Sequence, residues 1–61
     1  IMTFTLTLDM SNDAFGSTSA SRAVELSLIL GDVRRDLQNG QRDGRCRDTN
    51  GNTVGTWEIT R

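Results

Sequence analysis

Apolar and polar residues alternate without a break from Met2 to Met10. Met2, Phe4, Leu6, Leu8 and Met10 fall on one side, and Thr3, Thr5, Thr7 and Asp9 on the other. A period of two with β-favouring Thr on the polar side predicts a strand over about 2–9, buried on one face only. A stretch rich in Ser, Asn, Asp and Gly follows and predicts a loop over 10–19, with Phe15 as its one anchor to a core. A loop this long in a small domain is a place for function or mobility, and it offers a hinge for a domain swap.

The period then changes. Ala23, Leu26, Leu30, Val33 and Leu37 recur at gaps of three and four, which predicts a helix over about 20–39 with these residues as its apolar stripe. Ser19 or Ser21 is the candidate cap at its start, and Asn39-Gly40 is the stop signal. Gly31 interrupts the helix at a cost of about 1 kcal/mol relative to Ala, and it would permit close approach of another element. Val24 and Leu28 project nearly opposite the stripe at about 100° per residue. Something has to cover them, either the 10–18 loop with Phe15 or a second subunit.

The remainder, about 44–60, reads as a hairpin around Asn50-Gly51, with strands near 44–49 and 52–60. A two-residue turn pairs Cys46 with Gly55. A type I turn with Gly51 as a bulge pairs Cys46 with Val54. In either register Trp57 and Ile59 share the face toward the helix. Val54 belongs to the other face, with Thr3, Thr5, Thr7, Thr56, Arg45 and Arg47, unless Gly55 bulges. The fold class is therefore α+β. It is one β-α-β-β domain over 1–61, with one helix on a three-stranded antiparallel sheet of order 2-3-1.

Composition adds one constraint. A chain of 61 residues has little apolar surface to bury, and small domains are commonly supported by disulfides, metals or association. With a single Cys and no His, an internal disulfide and the common zinc sites are excluded. Self-association, most simply a homodimer, is the expected remedy. No segment reaches the apolar length of a membrane span and no secretory leader is recognisable, so a cytoplasmic protein that starts naturally at Met2 is expected.

The net charge of −1 forces no nucleic-acid reading, but the charges are segregated. All seven basic residues are Arg, and Arg34, Arg35, Arg42, Arg45 and Arg47 cluster in one short stretch. Arg suits planar recognition of carboxylate or phosphate and suits interfaces. Asp32, Asp36, Asp43 and Asp48 are interspersed and stacking aromatics are missing, which weakens the nucleic-acid case.

Three further patterns bear on chemistry. Asp48, Asn50 and Asn52 match calcium-loop spacing, but Gly falls at 51 rather than 53 and Ile59 stands where glutamate is required, so a turn is the better reading. Cys46 lies between two arginines that alternation turns to the opposite face, so it reads as a small core residue rather than an activated thiol. Asp9 with Glu58, and Asp32 with Asp36, are the only candidate carboxylate pairs, and a chain this size has little room for a pocket of a few hundred Å³. No enzyme, cofactor or metal is expected.

The segment Asp48-x-Asn50-Gly51-Asn52-x-Val54-Gly55-x-Trp57-Glu58-Ile59, with the opening Met2-Thr3-Phe4-Thr5-Leu6-Thr7, resembles short bacterial proteins of phages, plasmids and other mobile DNA. The group has no activity for these residues to inherit. The resemblance implies a context of small accessory proteins that act by binding. The residues point the same way, to a non-enzymatic interaction or modulator protein. Its candidate surface is Arg34, Arg35, Arg42, Arg45 and Arg47 together with Val24 and Leu28. The alternative is a nucleic-acid-binding accessory protein that uses the Arg patch.

Overall fold

The computed structural model covers all 61 residues. Strand β1 (Thr3–Leu8) leads through a 3-10 turn (Asp13–Phe15) to helix α1 (Ser19–Gln38), then strands β2 (Asp43–Arg47) and β3 (Thr53–Thr60). The sheet is antiparallel with order β1-β3-β2, so the last strand is central and the first two are edges. The fold is α+β. The short turn inside the 10–19 loop is the one element that the residue pattern did not announce.

Helix α1 has a defined stop at each end. Thr18, not Ser19 or Ser21, caps α1. The Ser21 N–H donates to Thr18 Oγ1 at 3.1 Å, and the Thr18 N–H donates to Ser21 Oγ at 3.1 Å. The box closes with Ser where Glu or Gln is the usual third residue. At the other end the Gly40 N–H bonds Leu37 O and the Gln41 N–H bonds Asp36 O, with Gly40 at φ +88°. This is a Schellman ending, and it satisfies carbonyls that the helix leaves free.

The core contains Phe15, Ile29, Val33, Cys46, Val54 and Trp57. Phe15 is fully buried and ties the loop down as its isolation implied. Trp57 faces the helix side, with Ile59 half-buried beside it. Leu6 lies directly opposite Trp57 on β1, and Gly44 lies opposite it on β2.

Two expectations are corrected. The helix is rotated by roughly a quarter turn from the stripe Ala23, Leu26, Leu30, Val33, Leu37. Its buried line is Glu25, Ile29 and Val33, while Ala23, Leu30 and Leu37 are exposed and Leu26 is half-buried. The cause is that apolar residues flank the buried line on both sides, so periodicity alone does not fix the rotation. A hydrogen bond from Thr49 makes the burial of Glu25 tolerable.

The second correction is Val54, which belongs to the core and not to the open sheet face. Cys46 pairs with Gly55 but Arg47 pairs with Thr53, so Val54 has no partner on β2. Near the tip the hairpin follows the type I turn with Gly51 at φ +84°. Beyond Val54 it follows the register of the shorter turn. The bulge converts one into the other and turns Val54 inward.

Gly55 makes this possible. A Cβ there would lie 1.9 Å from the Thr7 carbonyl oxygen, because β1 closes directly onto the Gly55 backbone. By contrast, a Cβ on Gly31 would meet nothing within 4 Å, so no element of this chain exploits that glycine. Gly55→Ala is expected to destabilise the fold by about 2 kcal/mol or more through forced separation of β1 from β3. Urea unfolding followed at Trp57 measures this, with Gly31→Ala as the control that leaves the midpoint unchanged or raises it.

Candidate interaction surfaces

Two of the loops converge at the N-terminal half of α1. The carboxylate of Asp48, in the hairpin turn, is the point of convergence. It accepts the Asn12 side-chain amide at 2.6 Å, the backbone N–H groups of Asn50 and Asn52 at 2.9 Å each, and the Asn52 side-chain amide at 3.5 Å. The Asp48 backbone closes the turn, donating to Asn52 O at 2.9 Å and accepting from the Gly51 N–H at 3.0 Å. Burial raises the Asp48 pKa, but the donors outweigh it and hold the group below its ordinary value of 3.8. Asp48 and Asn52 of the calcium-like spacing thus spend their side chains on the turn and on the loop before α1, and Asn50 contributes its backbone N–H.

That convergence leaves a groove. Asp13 and Ala14 of the 3-10 turn form one wall, Val24 and Leu28 of α1 another, and Thr49 and Asn50 of the hairpin tip close one end. It is shallow and wide open to solvent, with a volume of about 550 Å³. The 10–18 loop lies beside Val24 and Leu28 without covering them, and they stay 63% and 56% exposed. Glu25 lies between them in sequence and also lines the groove, yet it is only 4% exposed. The Thr49 hydroxyl donates to one of its oxygens. No basic side chain of the chain pairs with it, the two ion pairs present being those of Arg35 with Asp32 and Asp36. Glu25 was missed in the sequence because a Glu on an amphipathic helix reads as a solvated position. The signal that could have found it is its place between Val24 and Leu28.

The arginines do not form one patch. Arg45 and Arg47 flank buried Cys46 on β2, so alternation turns both to the face away from the helix. Arg34 and Arg35 are exposed on α1, on the other side of the sheet. Arg35 sits 3.3 Å from Asp32 and 4.0 Å from Asp36. Arg34, Arg42, Arg45 and Arg47 have no ion-pair partner, but Asp43 and Glu58 lie directly opposite one another beside Arg45 on the open face. Cys46 is buried, and burial together with the charges of Asp36 and Asp32 pushes its thiol upward, the reverse of activation. No helix is long and apolar enough to cross a membrane.

Comparison with protein-family models, with curated proteins and with solved structures finds no match to this chain.

Because the Asp48 pKa is lowered by folding, its contribution to stability is complete above 3.8 and is lost as pH falls through its lower folded value. Urea midpoints measured from about pH 7 down to about pH 2 are expected to drop across that window. In Asp48→Asn the drop becomes shallower and the neutral-pH midpoint falls. Asp43→Asn, which alters a carboxylate free of hydrogen bonds, is expected to leave the neutral-pH midpoint nearly unchanged.

Proposed function

We propose that the protein is a small non-enzymatic interaction module that grips a basic side chain of a protein partner in the groove beside Val24 and Leu28. The observation that carries this reading is Glu25, a buried carboxylate whose only hydrogen-bond donor is the Thr49 hydroxyl. The second carboxylate oxygen has no partner within the chain and is not sealed from solvent, so it is free to pair with a cation that enters the groove. Val24, Leu28 and Ala14 give apolar surface for the aliphatic stem of an arginine or lysine, and Asp13 adds a second negative charge at the rim. A site of this shape recognises a side chain that is apolar along its length and cationic at its tip. The likeness to accessory proteins of mobile DNA suits such a modulator, acting in the cytoplasm on a host or element protein.

A nucleic-acid reading is supported by Arg42, Arg45 and Arg47, which no carboxylate neutralises directly. Asp43 and Glu58 on the same face count against it.

Amide NMR titration separates the two readings. The probes are acetylated Leu-Arg-Leu amide, its Leu-Glu-Leu and Leu-Gln-Leu counterparts, and a short single-stranded oligonucleotide at low salt. The arginine peptide is expected to shift Val24, Glu25, Leu28, Thr49 and Asn50, and Glu25→Gln is expected to weaken its binding about tenfold. Equal shifts with all three peptides, or none at Glu25, would sink the groove reading. Salt-sensitive oligonucleotide shifts at Arg42, Arg45 and Arg47 would establish the second one.

A further inference from the structure

We propose that two copies of the chain join through the free edge of β1 into a continuous six-stranded antiparallel sheet, with a two-fold axis at Leu6. The starting observation is the contrast between the two sheet edges. The β2 edge carries Asp43, Arg45 and Arg47 and is distorted by the bulge opposite Val54. Charge and irregularity are the devices that keep an edge from pairing with another chain. The β1 edge has neither. It runs from Thr3 to Leu8 in regular register with β3 and carries no charged side chain.

The backbone specifies which groups are available. The Asp9 N–H donates inward to Val54 O at 2.7 Å. By alternation Thr7, Thr5 and Thr3 also point their peptide groups at β3, and the N–H and C=O groups of Phe4, Leu6 and Leu8 point away from the sheet. Three residues with outward groups, centred on Leu6, form a self-complementary set. Placing the axis there pairs Leu6 with its own copy, Phe4 with Leu8 of the partner subunit, and Met2 with Met10 of the partner subunit. Every apolar side chain of the row then faces another apolar one. Asp9 falls opposite a threonine, so no like charges meet.

The apolar row needs this cover. Helix α1 packs on β2 and the 3-10 turn, at the far side of the sheet. Phe4 is consequently 48% exposed although its ring lies 5.9 Å from that of Trp57, and Met2 is exposed beyond it. A partner's strand alongside β1 shields both. The groove at Glu25 opens on the other flank and stays free in such a dimer, so the pairing is independent of the proposed recognition of a basic side chain.

Sedimentation of the full chain is expected to give the dimer mass at tens of micromolar. Phe4→Lys places a charge in the paired row and is expected to raise the dimer dissociation constant at least about tenfold, with unchanged circular dichroism. Trapping gives a second readout that does not depend on that variant folding. In the Leu6-centred register Thr5 lies opposite Thr7 of the partner subunit in a non-hydrogen-bonded pair, with Cα atoms about 4.5 Å apart, close enough for a disulfide. The double variant Thr5→Cys, Thr7→Cys, both on the exposed face, is expected to form a covalent dimer with oxidised glutathione. A monomer at every concentration, or a dimer that survives Phe4→Lys and gives no covalent product, would overturn the proposal.

Discussion

The fold hangs on the carboxylate of Asp48. The group is nearly sealed from water, and its donors come from two segments, the hairpin tip and the loop before α1. The Asn50 and Asn52 N–H groups fix the hairpin tip. The Asn12 amide draws in the loop that carries Phe15, and Asn12 also caps the short turn through the Ala14 N–H. Phe15 can therefore fill the core, and its carbonyl accepts from the Ser21 hydroxyl at the start of α1. One residue away, Thr49 bonds Glu25, on the same helix face as the core residues Ile29 and Val33. An acidic side chain in a turn thus connects the loop, the helix cap and the helix face in succession. Such a network is costly to leave half-made, which makes this corner cooperative rather than frayed.

Much of this was legible from residue order alone. The alternation Met2 to Met10 gave β1, Asn50-Gly51 gave the hairpin, and Asn39-Gly40 gave the helix end, because each is a local rule with a local cause. The strand order followed from connectivity. Helix rotation was not legible, since Val24 and Leu28 on one flank and Leu26, Leu30 and Leu37 on the other leave the direction of burial to tertiary contacts. Val54 was misplaced for a related reason. Strict alternation puts it outside, and only the bulge, which depends on the closeness of β1 to Gly55, brings it in. The groove was invisible because it is made by three segments distant in sequence. Of the residues singled out in advance, Val24 and Leu28 do lie together there, while the arginines are divided between two faces.

The two surfaces described here share one physical origin. A single helix cannot roof three strands, and this helix lies toward β2. On its outer flank it leaves the groove that holds Glu25. On its inner flank it leaves the apolar row of β1 half-covered. Displacing the helix toward β1 would cover Phe4 but separate Glu25 from Thr49. The position it adopts is the one that keeps Glu25 on Thr49, and Phe4 and Met2 are left exposed.

Trp57, the single tryptophan, sits where Gly44 leaves room for its ring, and its indole N–H is buried without an acceptor. An indole sealed from water and without a hydrogen-bond partner is expected to emit at short wavelength. The ring touches the first strand through Phe4 and rests on the second beside Gly44. The molecule carries its own optical gauge of whether its three strands are together, in a position that needs no label.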